Sequence, residues 1–178
     1  MNLLLRIPYA TAGIAAGVAA QLAPPGAGKL RTSLRARRGL RARYAAWGAA
    51  ARDTARPLIW LHAPSVGEGL QARPVVALLR ARRPDLQIAY TFFSPSAERF
   101  ARSVGAEFTD YLPFDTAANA RAALDALRPA ALIFSKLDVW PLLAESAAAR
   151  GVPLGLISAT LSSGSGRRSG LGPPEAVA

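Results

Sequence analysis

The rhythm of apolar and polar positions changes at Pro57. From there, Leu58 to His62 is a short apolar run closed by a Pro/Ser/Gly turn, which predicts a buried strand. Glu68 to Arg83 sets Leu70, Val75, Val76, Leu78 and Leu79 among arginines, a helical distribution that stops before Pro84. Leu86 to Thr91 predicts a second strand, and Ser94-Pro95 opens the next helix with proline at a favoured first-turn position. Phe108 to Leu112 reads as a short strand, and Asp115 is expected to cap a helix running through Leu127. Ala130 to Phe134 is another apolar strand, Val139 to Arg150 is helical up to Gly151, and Val152 to Ile157 supplies a last strand.

Strands that alternate with amphipathic helices build βαβ units, and therefore a parallel sheet covered on both faces. The fold class is α/β, a Rossmann-like doubly wound parallel sheet over residues 57–162. The polar, glycine-rich text of residues 163–178 reads as a disordered tail.

Upstream of Pro57 the pattern is different. Ile7 to Gly28 carries no charge over 22 residues, about the length that crosses a bilayer core as a helix. Alanine and glycine dominate it, and Pro8, Pro24 and Pro25 interrupt or bound it, so residues 1–28 read as a membrane anchor or an interfacial helix. A cleaved signal peptide carries its basic end ahead of the apolar stretch, whereas here the heavy charge follows it. Positive charge after the segment puts the C-terminal side in the cytoplasm.

Charge refines this division. Of the net +11, Lys29 to Arg56 supplies +8, and residues 57–178 supply only +2. Residues 29–56 thus read as a basic arm, suited to an anionic membrane surface or simply solvated as a connector. A nucleic-acid reading of the arm is the weakest of the three, because aromatics interleave with the arginines only at Tyr44 and Trp47. With no cysteine, a disulfide framework and a thiolate zinc site are excluded. His62 is the single histidine and no carboxylate cluster stands out, so no metal and no cofactor is expected.

Ligands of open parallel sheets gather outside the carboxyl ends of the strands. The first such turn is His62-Ala63-Pro64-Ser65-Val66-Gly67-Glu68-Gly69. It offers a carboxylate at a helix N-terminus between two glycines, the placement a general base on a hydroxyl requires. Position and residue type alone favour the plainer role, an acid satisfying the helix dipole, which would also lower its pKa. The glycine spacing is not the dinucleotide fingerprint Gly-x-Gly-x-x-Gly. His62 could orient Glu68 or an acceptor phosphate, although a strand-end histidine is more often structural. Ser94 and Ser96 offer hydroxyls at the second strand's exit, where the plainer role is to cap the next helix. Lys136, Asp138 and Trp140 follow the fourth strand, a cation, a carboxylate and an aromatic able to bind a sugar or phosphate. The plainer reading makes Asp138 a helix cap with Trp140 packed beneath it. Ser158 stands at the last exit, in the loop Ser158 to Ser162.

These turns, in order, resemble those of the bacterial 3-deoxy-D-manno-octulosonic acid (Kdo) transferases. The family segment Trp-x-His-Ala-x-Ser-Val-Gly-Glu is matched by Trp60 to Glu68, and Tyr111 to Asp115, Val139-Trp140-Pro141 and Ser158 to Ser162 follow as supporting segments. The resemblance covers residues 35–162 and implies the N-terminal, acceptor-side half of a metal-independent GT-B glycosyltransferase. It implies CMP-Kdo as donor, a lipid A precursor as acceptor and the cytoplasmic face of the bacterial inner membrane as location. It makes Glu68 the catalytic base and assigns substrate binding to His62, Ser65, Gly67, Ser94, Ser96, Asp138, Trp140 and Ser158. The family's Glu-Thr-Glu-Leu-Trp-Pro reads Lys136-Leu137-Asp138-Val139-Trp140-Pro141 here, which replaces an acid by a cation and shortens another. Thr160 also stands where arginine is common. A donor-binding second domain is expected to lie beyond these 178 residues, with no transfer by this half alone. The rival reading from another class is a non-catalytic, membrane-associated module that binds lipid-linked phosphosugars.

Overall fold

The computed structural model describes residues 3–22, 28–136 and 138–159. The tail expected over residues 163–178, and Thr160 to Ser162 of the last predicted loop, lie outside the described residues. Five strands form one sheet: β1 Leu58–His62, β2 Gln87–Phe92, β3 Phe108–Tyr111, β4 Ala131–Ser135 and β5 Leu154–Ile157. Every pairing is parallel and the strand order is β3-β2-β1-β4-β5.

Among the described residues seven α-helices accompany the strands: α1 Leu3–Leu22, α2 Lys29–Ala36, α3 Leu40–Ala50, α4 Val66–Arg82, α5 Glu98–Arg102, α6 Ala117–Leu127 and α7 Pro141–Ala148. A parallel pair needs a right-handed crossover. The chain therefore steps β1-α4-β2-α5-β3 towards one edge, then returns through α6 to β4 on the other side of β1. α4 packs on α5, whereas α6 packs on both α3 and α7, so the two sets of helices cover opposite faces. The doubly wound parallel sheet is the architecture expected of the sequence.

Burial on both faces explains why the central strands carry almost no polar alternation. β2 is buried at every position, and Leu58, Trp60, Leu61 and His62 of β1 are buried as well. β5 lies at the edge, and Leu154 and Leu156 remain exposed there.

The arginine-rich stretch folds as α2 and α3 and joins the core. Leu40 and Tyr44 are buried, and the Tyr44 ring meets Phe108 edge-on at 4.6 Å. Arg37, between the two helices, is 4% exposed. Its guanidinium donates to the carbonyls of Leu112 (3.0 Å), Phe93 (2.8 Å) and Ser33 (2.9 Å), and it lies 4.0 Å over the Phe93 ring. A buried arginine is tolerated when its donors are satisfied, and here they tie the exits of β2 and β3 together. Burial lowers its pKa to about 10, which still leaves it charged at neutral pH.

α1 docks through Tyr9 Oη, which donates to Asp115 at 2.9 Å, and through the Ala20 carbonyl, which accepts from Arg38 Nε at 3.0 Å. Ile7, Ile14, Val18 and Leu22 on this helix are exposed, by 54% or more. Among the described residues no helix is long and apolar enough to cross a membrane.

The expected cap at Asp115 is corrected. Thr116 caps α6, its hydroxyl accepting from the Asn119 amide at 3.1 Å. Asp115 instead accepts from the Leu142 and Leu143 amides, both at 2.9 Å, at the N-terminus of α7. That helix end is therefore capped from across the fold by Asp115, the role one reading gave to Asp138.

Candidate functional site

At the centre of the sheet, β1 and β4 are neighbours whose outgoing chains turn to opposite faces. This is the topological switch point, where a crevice opens above the strand ends. The β1 exit leads to Ser65 and Glu68, and the β4 exit leads to Lys136, Asp138 and Trp140.

Glu68 lies in the first turn of α4, whose N-cap is Ser65. The Ser65 hydroxyl donates to Glu68 Oε2. Lys136 Nζ stands 3.6 Å from Oε1, with 21% of the Glu68 side chain and 45% of the Lys136 side chain exposed. From the β4 end, Ser135 Oγ donates to the Glu68 backbone carbonyl at 3.0 Å. The carboxylate is thus held from both strand exits while still facing the crevice. The Ser65 hydroxyl, with Lys136 assisting, holds its pKa below the usual glutamate range. Glu68 is ionised at neutral pH, the state in which it can accept a proton.

Gly67 and Gly69 differ in what they do. A Cβ at Gly67 would meet only Ser65 Oγ, at 3.7 Å. At Gly69 it would come within 2.4 Å of Phe100 and 2.8 Å of Tyr90 Oη. Gly69 is therefore the position that lets α4 lie close on the sheet and α5, which in turn places Glu68.

His62 is fully buried at the end of β1, and its Nδ1 is 3.0 Å from Thr91 Oγ1. That hydroxyl already accepts the Trp60 indole N–H at 2.9 Å. The Thr91 hydroxyl thus bridges the Trp60 indole and the His62 ring. Burial pushes the His62 pKa down to about 3, so the ring is neutral. Nε2 has no protein partner, and neither has the buried indole nitrogen of Trp140, whose ring lies 6.0 Å from that of His62. Trp140 also packs on Phe93 at 4.7 Å. These two ring nitrogens, left unpaired by the protein, are available to polar atoms of a bound molecule.

The other sequence-selected residues spread along the same edge. Ser94 and Ser96 share a hydrogen bond of 2.8 Å beyond β2, and the Ser94 amide donates to the Pro64 carbonyl at 2.8 Å. Ser158 follows β5 in a left-handed conformation, φ 54°, and is exposed. Asp138 is exposed beside the α7 N-terminus. Ser65 and Glu68 are in direct contact, and His62 meets Trp140 ring to ring.

Two contributors escaped the sequence reading of the site. Thr91 bonds the His62 ring but looks like any strand threonine. Arg37 braces two exits from within a run of arginines. Lys136, named from the sequence with the β4-exit residues, is the one that reaches Glu68.

The family profile described as 3-deoxy-D-manno-octulosonic-acid transferase (kdotransferase) matches residues 33–173. A 3-deoxy-D-manno-octulosonic acid transferase of Haemophilus influenzae is 33% identical over 114 residues, covering 63% of this chain and 27% of that protein. The enzyme of the same name from Bordetella pertussis is 32% identical over 134 residues, covering 72% of this chain and 31% of its own length. A probable mitochondrial 3-deoxy-D-manno-octulosonic acid transferase of Arabidopsis thaliana is 34% identical over 114 residues, 62% of this chain and 25% of that protein. The matched region thus spans about a quarter to a third of these relatives.

Proposed function

Because the chain belongs to the 3-deoxy-D-manno-octulosonic-acid transferase family, we propose that it forms the acceptor side of a glycosyltransferase cleft, with Glu68 as general base. The donor is CMP-Kdo and the acceptor a hydroxyl of a lipid A precursor, with the donor bound by a second domain. The observation that carries this reading is the placement of Glu68. It is an ionised, part-exposed carboxylate at the switch point, beside buried ring nitrogens left unpaired by the protein.

In the proposed step, Glu68 takes the proton of the acceptor hydroxyl. The hydroxyl oxygen forms its bond to the anomeric carbon of Kdo, and the bond from that carbon to the CMP phosphate oxygen breaks. CMP leaves with the electron pair. His62 Nε2 and the Trp140 indole N–H offer hydrogen bonds to sugar hydroxyls, and the hydroxyls of Ser65, Ser94, Ser96 and Ser158, with Asp138, line the approach. Gly67 leaves open space beside the carboxylate.

The exposed face of α1 supports an interfacial placement. Ile7, Ile14, Val18 and Leu22 are positioned to enter the surface of an anionic leaflet while the arginines of α2 and α3 meet its headgroups. This would bring the crevice to a lipid-borne acceptor on the cytoplasmic face of the inner membrane.

Glu68→Gln tests the base. With a donor-binding domain joined to the chain, it should reduce Kdo transfer by about 10²–10⁴-fold without loss of lipid A binding. An unchanged rate would remove Glu68 from the chemistry. Lipid A binding with no transfer by the wild-type joined protein would favour the non-catalytic binding module.

A further inference from the structure

Lys136 occupies a conspicuous place that acceptor deprotonation by itself does not explain. It follows β4 directly, with its backbone amide donating to the Ile157 carbonyl at 2.8 Å and its φ at 59°. A non-glycine residue in the left-handed region is uncommon, and such strain collects at functional sites. Here it sends a lysine across the switch point to the β1 exit.

The contact it makes is loose. At 3.6 Å from Glu68 Oε1, the ammonium is beyond good hydrogen-bond distance, and the other carboxylate oxygen is already served by Ser65. An ammonium has three donors, and this one is nearly half exposed towards the crevice. Among the described residues that face this turn, the other candidate donors are engaged or uncharged. Arg37 spends its donors on Leu112, Phe93 and Ser33, and His62 is neutral.

We propose that Lys136 is a specificity-determining residue that binds an oxyanion, phosphate or carboxylate, carried by the acceptor sugar beside the hydroxyl that Glu68 deprotonates. This rests on the reading of Glu68 as the base. As the ammonium turns to the substrate oxyanion it leaves Glu68, and the freed carboxylate becomes the better proton acceptor. The acceptor's own charge thus prepares the base that acts on it.

The test is a nuclear magnetic resonance titration of the chain with three sugars, following the Lys136 ammonium and the Glu68 carboxyl carbon. N-acetylglucosamine 4-phosphate represents the phosphate source, glucuronic acid the carboxylate source and N-acetylglucosamine the neutral comparison. Wild type should prefer one or both charged sugars by roughly tenfold, the worth of a charge-assisted hydrogen bond. Lys136→Met should abolish the preference, Lys136→Arg should keep most of it, and Glu68→Gln should keep it as well. Whichever charged sugar loses affinity in Lys136→Met identifies the oxyanion. A preference that survives in Lys136→Met, or a wild type with no preference, overturns the assignment. Neither result touches the role of Glu68, which is judged by the transfer rate.

Discussion

Asp115 and Glu68 are both carboxylates at the N-terminus of a helix, and their surroundings make them opposites. Asp115 is buried and fully engaged, accepting from the amides of Leu142 and Leu143 and from the Tyr9 hydroxyl. Burial, partly offset by those hydrogen bonds, pushes its pKa up. Glu68 keeps its side chain part-exposed, held by one hydroxyl and a distant ammonium, and its pKa is pushed down. A carboxylate whose lone pairs are consumed by the protein fixes helices. One that is held but not filled is available to a ligand.

The sharpest way to break this comparison is to remove each acid in turn. Asp115→Ala should cost about 2–3 kcal/mol, because it strips the cap from α7 and leaves buried amides unpaired. Glu68→Gln should change stability by no more than about 0.5 kcal/mol. Urea denaturation midpoints of the two variants decide it, and equal losses would erase the distinction. Tyr9→Phe tests a smaller part of the Asp115 network and should cost about 1 kcal/mol. Its effect should appear in hydrogen exchange as faster opening of α1, with β1 and β2 unchanged.

The pH dependence should also have opposite signs. A raised folded pKa means that Asp115 contributes stability below its unfolded value and loses it as pH rises through the folded one. A lowered folded pKa means that Glu68 contributes above its unfolded value and loses it as pH falls through the folded one. Stability of wild type relative to Asp115→Asn should therefore decline with rising pH just above the ordinary aspartate value. Relative to Glu68→Gln it should climb with rising pH just below the ordinary glutamate value. Parallel slopes in denaturation series across this range would contradict the assignment. The smallest expected effect belongs to Ser65→Ala, which should move the Glu68 titration upward, seen by carbon-detected titration, and leave Asp115 where it is.

The sheet was largely legible because a buried parallel strand writes itself as an uninterrupted apolar run. Leu58 to His62 is read to the residue, and the other four strands shift by one or two positions at their ends. The Glu68 turn was legible because its residues are local in sequence. What could not be read is what depends on contact between distant segments. Asp115 sits one residue from the start of α6, so local sequence assigns it there, and only the packing of α6 against α7 brings it to Leu142. Thr91 and Arg37 are similar cases, since their partners lie on other strands. α2 and α3 were hidden for another reason. Nine cations between Lys29 and Arg56 outweigh Leu40, Tyr44 and Trp47 in any average, although those apolar side chains determine where the helices lie.

Arg37 and Tyr44 have a practical consequence for anyone who trims this protein. A chain begun at Pro57, where the strand pattern starts, would expose the Phe108 ring that Tyr44 covers and uncap the carbonyls of Leu112 and Phe93. Truncating a buried aromatic alone costs about 3–5 kcal/mol, a large part of what a domain of this size has to lose. The smallest autonomous folding unit therefore starts near Lys29. The segment densest in charge belongs inside the expression boundary, as a structural wall of the domain.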